Sequence, residues 1–348
     1  MDVKITRQFP KGDLQASLDK ALVGIIANPA SGKDIRRLVA HGSVFNNNEK
    51  INIIRRALRG LDALGIKRVL AMPDAFGLVV QAQEKAGVSL QVDLLDIPLT
   101  NTARDSTEAA RLMATAGVGC IITLGGDGTN RAVAKGCGYV PLVPISTGTN
   151  NTFPVMIEGT LAGLAAGVVA LNVTGVRQAA IRLARHLEIF RNGQLIDIAL
   201  VDVVVYDERF VASRAIWDVS KIRAVILSQA KAGTIGASAV AGYLPVTPPN
   251  GKRGVWIEVG SGSQQVLAPI APGMMVPVPI RSLHWLGVGD RHPVTYAPAI
   301  LALDGEREIP VKDGELIEIR LSQNGPHVVN VEAALQVASQ AGLFVSDS

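Results

Sequence analysis

Apolar positions along this chain follow two different rhythms, and the change comes beyond residue 190. Before it, short runs rich in β-branched residues alternate with segments whose apolar positions recur at helical spacing. Residues 21–27, 69–72, 118–124 and 140–145 read as strands, with 118–124 buried on both faces and 140–145 interrupted by Pro141 and Pro144, and 90–97 reads as an edge strand because it carries aspartates. Segments 52–64, 76–85, 106–116 and 159–171 read as helices. Gly65, Gly87 and Gly117 stand where the first three end, and Asp105 with Glu108 resembles a capping box for the third. This alternation predicts an α/β domain on a parallel sheet.

Residues 184–190 fit a strand better than the alternative of a helix, and beyond them the pattern is that of short strands: 195–206, 255–259, 265–268, 275–280, 294–303 and 316–321, with glycine turns at 191–193 and 312–314. An all-β second domain is expected, interrupted by a helix over 222–231. A last helix at 331–341 is expected to pack back on the first domain. The expected division is 1–155 together with a C-terminal helix at about 328–348, and 156–327.

A length of 348 residues suits two domains, and an apolar fraction of 48% supplies their cores. Lys and Arg are scattered without aromatic interleaving and the net charge is only +4, which argues against nucleic-acid binding. Two cysteines, Cys120 and Cys137, point to a reducing compartment. Neither they nor the five histidines show metal-ligand spacing. Residues 1–20 are polar, and the longest apolar runs fall short of the roughly 20 residues of a membrane span. The expectation is a cytoplasmic protein with no membrane partner.

Three of the predicted strands end in polar turns. After 118–124 come Gly125-Gly126-Asp127-Gly128-Thr129 and a helix to about Lys135, with Thr129 placed to cap it. Three glycines in four residues let backbone N–H groups approach an anion, typically phosphate. A carboxylate inside such a cradle is repulsive unless it serves a metal ion or takes a proton from an attacking hydroxyl. The plainer alternative is a tight turn without a ligand. The first strand ends in Asn28-Pro29-Ala30-Ser31-Gly32-Lys33. This is not a Walker A loop, because Ala27 and Asp34 stand where Gly and Ser or Thr are needed. The fifth strand ends in Ser146-Thr147-Gly148-Thr149-Asn150-Asn151-Thr152. In a parallel sheet these ends share one edge, and together they favour a nucleotide site over three ordinary loops.

These motifs resemble the superfamily that unites NAD kinases with diacylglycerol and sphingosine kinases. Gly125 to Thr129 matches its hallmark, and Asn28-Pro29-Ala30-Ser31-Gly32 is similar to the Asn-Pro-x-Ser-Gly turn of the lipid kinases. Gly148 to Phe153 resembles their Gly-Thr-x-Asn-Asp-Phe, with Thr152 replacing the Asp. Asp304-Gly305-Glu306 resembles their C-terminal Asp-Gly-Glu. Val201-Asp202 aligns with the Asn-Glu of NAD kinases, and 234–239 with their Thr-Gly-Ser-Thr-Ala segment, Ala237 replacing Ser. Over 23–306 the likeness is to the AcoX proteins, NAD-kinase-like products associated with acetoin catabolism.

The resemblance implies a Rossmann-like α/β domain followed by a β-sandwich domain, with the active site in the cleft between them. It implies phosphoryl transfer from ATP with Mg²⁺ to a hydroxyl, NAD being the first candidate acceptor. Asp127, Glu306 and Asp304 would be catalytic, with Asp127 and Glu306 as rival bases and Asp304 positioning Glu306 or reaching metal through water. Asn28, Ser31, Gly32, Lys33, Gly125, Gly126, Gly128 and Thr129 would bind the nucleotide; a lone lysine such as Lys33 otherwise reads as solvated. Thr149, Asn150, Asn151, Asp202, Gly236 and Ser238 would bind the acceptor. A lipid kinase and a nucleotide-binding regulator without turnover stay open as alternatives, and homo-oligomerisation is expected by likeness.

Overall fold

In the computed structural model, residues 17–32, 45–148, 150–208, 219–245 and 254–345 are described. The first unit runs β1 (Leu22–Ala27), α1 (Asn47–Ala63), β2 (Arg68–Ala71), α2 (Leu78–Glu84), β3 (Gln91–Leu94), α3 (Ala103–Thr115), β4 (Cys120–Gly125), α4 (Asp127–Ala134) and β5 (Leu142–Ser146). Helices α5 (Gly159–Ala170) and α6 (Val176–Ala180) and strand β6 (Ile181–Leu183) follow. Strand β1 pairs in parallel with β2 on one side and β4 on the other, so the chain order reverses there. That reversal opens a crevice at the carboxyl ends of the strands. Every residue of β4 is buried, as its uninterrupted apolar run requires, and β3 lies at the sheet edge, as its aspartates suggested.

The second unit contains β7 (His186–Arg191), β8 (Gln194–Ala199), β9 (Asp202–Tyr206), β10 (Ile222–Leu227), α7 (Ala239–Gly242), β11 (Gly254–Ala271), β12 (Met274–Leu286), β13 (Arg291–Pro293), β14 (Ala299–Leu303), β15 (Glu306–Val311) and β16 (Ile317–Ser322). They form a six-stranded sheet, β12-β11-β10-β9-β14-β15, and a four-stranded one, β13-β16-β7-β8. Leu187, Ile189, Val203, Val205, Leu301, Leu303, Ile319 and Leu321 fill the core between them. The chain then returns to the first unit through β17 (His327–Val329), which lies between β5 and β6. It ends in α8 (Val331–Gln340), whose Ala334 and Ala338 join the first core.

Several expectations are corrected. The first unit does not end at 155. Helices α5 and α6 and strand β6 belong to it, because Gly163 brings α5 into backbone contact with Ala57 of α1 and β6 extends the sheet. Residues 222–227 form a strand between β9 and β11, not a helix; their apolar run is buried on both faces, which a central strand needs as much as a helix would. Segments 255–259 and 265–268 belong to a single strand, β11, with register shifts after Glu258 and Val259. Helix α3 starts at Ala103 with Thr102 as its cap, and Asp105 accepts from the N–H groups of Thr100 (3.0 Å) and Asn101 (2.8 Å) instead of starting the helix. Among the described residues no helix is long and apolar enough to cross a membrane.

Candidate active site

The three polar turns lie side by side at the crevice and are tied to one another by side chains. Gly125 ends β4, and a side chain there would collide with that of Thr129. Gly126 is the cap residue of α4 and supplies no side-chain cap; Asp127 is the first helical residue. Thr129 is therefore inside the first turn and is not the N-cap. The first N–H groups of a helix stand outside its own hydrogen-bond ladder, so this end presents donors to an anion. Asn28 uses every polar atom it has. Its N–H donates to Leu124 (3.0 Å), its Oδ1 accepts from Ala30 N–H (2.9 Å), and its Nδ2 donates to Thr129 Oγ1 (2.9 Å). Ser31 Oγ donates to the Asn28 carbonyl (2.8 Å) and accepts from Thr147 Oγ1 (2.9 Å). Gly32 has φ +77°, and a Cβ there would meet the Thr147 carbonyl at 2.7 Å. The expected ligand-binding residues Lys33 and Thr149 lie outside the described residues.

Beneath the first turn sits a residue that the sequence did not single out. Lys50 of α1 is 0% exposed, and its ammonium donates to the carbonyls of Asn28 (2.9 Å), Pro29 (3.0 Å) and Ser31 (2.6 Å). A buried ammonium is costly unless fully hydrogen-bonded; here it gathers the carbonyl ends of the turn on one charge. Helix α1 starts at Asn47, capped by Asn46, where the sequence suggested residue 52. A lysine among Asn46, Asn47, Asn48 and Glu49 reads as solvated, so the only available signal was the capping Asn that moves Lys50 onto the helix.

Asp127 faces the third turn. Its Oδ1 accepts from Phe153 N–H (2.7 Å), and its Oδ2 from Thr152 N–H (3.0 Å). Asn151 Nδ2 donates to Ser146 Oγ (2.7 Å), and its Oδ1 lies 2.8 Å from where a Cβ on Gly126 would be. Asn150 is half-buried on the same turn. From the second unit, Ser238 Oγ comes within 3.3 Å of Thr152 Oγ1. Gly236 holds φ +101°, a conformation that favours glycine, and donates to the Pro269 carbonyl at 2.9 Å.

The second unit also supplies the hairpin between β14 and β15. Asp304 (φ +51°) and Gly305 (φ +83°) form its turn, and Glu306 opens β15. The Glu306 carboxylate lies over the Gly-Asp-Gly turn: a Cβ on Gly128 would be 3.2 Å from Oε1. Asp304 points the other way. Its side chain is 0% exposed, and it accepts from the N–H groups of Leu200 (3.0 Å), Val201 (2.8 Å) and Asp202 (3.3 Å). Burial raises its pKa, while the Arg131 guanidinium and the three N–H groups pull it back. Asp304 is thus placed to position its neighbours; of the two expected roles, its burial does not suit the alternative of reaching a metal through water. Asp202 is buried at the start of β9, and its carbonyl accepts from Asp304 N–H (3.0 Å). Among the described residues no group of three or more His, Cys, Asp or Glu is placed to hold a metal. Carboxylates such as those of Asp127 and Glu306 are the oxygen donors that Mg²⁺ takes, and both Asp127 oxygens also accept backbone N–H groups here.

Residues 23–172 match the ATP-NAD kinase N-terminal domain, and residues 185–324 match the acetoin catabolism protein X C-terminal domain. Acetoin catabolism protein X of Cupriavidus necator (strain H16) is 39% identical over 338 residues, which span 93% of this chain and 94% of that one. The chain belongs to the acetoin catabolism protein X family. Among solved structures, yeast NADH kinase complexed with NADH is 14% identical with a TM-score of 0.46, covering 94% of this chain and 89% of that one. An NAD kinase from Archaeoglobus fulgidus in complex with ATP is 14% identical with a TM-score of 0.38, covering 80% and 98%. The two matched domains of this acetoin catabolism protein X family member part between residues 172 and 185, beside the crossover from β6 to β7.

Proposed function

We propose that this protein is an ATP-dependent kinase that phosphorylates a hydroxyl, with NAD or NADH as the first candidate acceptor. The observation that carries this reading is the approach of the Glu306 carboxylate, from the opposite unit, to Gly128, the neighbour of Asp127 at the start of α4. Phosphoryl transfer asks a protein mainly for positioning and charge stabilisation. The turns at 28–32 and 125–129 would cradle the triphosphate through backbone N–H groups, and Lys33 would add positive charge. Mg²⁺, held by phosphate oxygens with Asp127 and Glu306 at hand, would supply charge neutralisation. Of these two carboxylates, one would orient the acceptor hydroxyl and the other would take its proton. Asn150, Asn151 and Ser238 would bind the acceptor from the third turn and the second unit, with Asp202 behind them. The family match at residues 23–172 supports this reading, and the Cupriavidus necator relative is named for acetoin catabolism.

A nucleotide-binding regulator without turnover is the second reading. Its support is position 201, where a buried Val replaces the NAD-kinase Asn and gives its N–H to Asp304. The deciding experiment incubates the purified protein with ATP, Mg²⁺ and NAD and reads NADP with an NADP-specific dehydrogenase, Asp127→Asn serving as control. NADP formed by the wild type and lost in Asp127→Asn establishes the kinase. ATP protection against thermal unfolding without consumption of ATP would favour the regulator.

A further inference from the structure

Helix α4 begins in the cleft, but one turn later it carries a guanidinium that hardly meets solvent. Arg131 is 4% exposed. Its Nε lies 3.6 Å from Asp304 Oδ2, and its Nη1 lies 3.4 Å from Asp197 Oδ2. Lys135, just past the same helix, pairs with Asp197 Oδ1 at 2.5 Å. Both cations belong to the first unit and both carboxylates to the second. The four charges balance across the junction, and opposite signs face each other unit against unit.

We infer that Arg131 is the positioning residue that fixes the Glu306 hairpin and the Asp202 strand against the helix that begins at Asp127. Arg131 is ion-paired with Asp304 at 3.6 Å, outside hydrogen-bond reach, and Asp304 accepts hydrogen bonds from the N–H groups of Leu200, Val201 and Asp202. Glu306 is two residues further along the same hairpin. One cation therefore sets the register of two acids in the second unit against Asp127 in the first. Stability alone is a poor reason for this arrangement, because a buried ion pair is often no better than a well-packed apolar pair of the same volume. What it does supply is a fixed geometry, since a planar guanidinium addresses two carboxylates from one defined place. A misplacement of about 1 Å in a transfer site costs roughly a hundredfold in rate, so the register matters.

The catalytic consequence rests on the kinase reading above; the positioning itself does not, and the test separates them. Hydrogen exchange is followed on the full chain for wild type, Arg131→Met and Arg131→Lys, alongside kcat and KM for NADP formation. In Arg131→Met the amides of Leu200, Val201 and Asp202 should exchange faster, while kcat per folded molecule falls about a hundredfold and KM for ATP holds. Arg131→Lys keeps the charge but not the fork, so it should move the same amides and kcat by less. Combining Arg131→Met with Asp304→Asn should add little to the loss from Arg131→Met. If the wild type turns over no NAD, the kinase reading fails while exchange still decides on Arg131. Unchanged exchange at 200–202 in both variants, or unchanged kcat in an active enzyme, overturns the inference.

Discussion

The two walls of the cleft are held in place by different physics. On the first-unit wall three turns are pinned by short side-chain links within one sheet edge: Asn28 to Thr129, Ser31 to Thr147, and Asp127 to the N–H groups of Thr152 and Phe153. On the second-unit wall a single hairpin brings Glu306 over the glycine turn, and buried ions anchor it from behind. The first wall follows from strand ends and glycines. The second depends on charges that meet only after both units have folded. The first wall should therefore tolerate changes in the second, and losses at the two walls should look different.

The largest effect should come from the carboxylates themselves. Asp127→Asn and Glu306→Gln should each lower kcat by about 10²–10⁴-fold while ATP still raises Tm. The deeper loss marks the base and the shallower one the orienting group. If either variant keeps kcat within a factor of three, that carboxylate has neither role.

Next comes Lys50→Met, which strikes the first wall from below. It should leave the carbonyls of Pro29 and Ser31 without the ammonium and that of Asn28 with Ser31 as its donor, at a cost of about 1–3 kcal/mol for each carbonyl left buried and unsatisfied. Urea unfolding should show the loss, and ATP protection should weaken with it. An unchanged urea midpoint would mean that the turn stands without its ammonium. Asn28→Ala should cost less, about 1 kcal/mol, because only the Thr129 link and the local turn at Ala30 are lost. A titration of Tm against ATP separates that small loss from any change in nucleotide affinity.

These two residues also mark how far the sequence could be read. Asn28, Gly125 and Asp127 were visible because a polar glycine turn after a buried strand has few other uses. Strand periodicity likewise marks a change of architecture beyond residue 190, although the expected boundary is at 155. Lys50 was not visible, since nothing local says that a lysine in a polar helix start turns inward. Nothing in the sequence pairs Arg131 with Asp304, because 173 positions of chain separate them, and nothing local says which of its two expected roles, positioning or metal contact, Asp304 takes. The helix expected at 222–231 failed for a related reason: an apolar run buried all round has no period that distinguishes strand from helix. The boundary at 155 falls short because the Gly- and Ala-rich helix at 159–171, though legible as a packed helix, does not say which unit it packs on until α1 is seen against it.

The smallest effect concerns pH, and it sharpens the contrast between neutral and ionic walls. His186 sits at the crossover between the units, 5% exposed, with Glu188 Oε1 at 3.5 Å and Arg320 bonded to the other Glu188 oxygen at 2.5 Å. Burial holds its pKa below the ordinary 6.5, Glu188 pulls it up, and Arg320 pushes it down again. The folded state thus binds fewer protons than the unfolded chain just below pH 6.5. Stability that His186 contributes in neutral solution is complete above that pH and is lost as pH falls through it. Glu188 opposes the shift, so the loss should be modest. Tm measured at pH 7.5 and 5.5 should drop more for the wild type than for His186→Gln. The first-unit turns lean on hydrogen bonds among Asn28, Thr129, Ser31 and Thr147 that do not titrate in this range, so Asn28→Ala should leave the drop unchanged. Parallel pH curves for wild type and His186→Gln would show that the crossover is as insensitive to protons as the turns are, and that only the Arg131 network distinguishes the two walls.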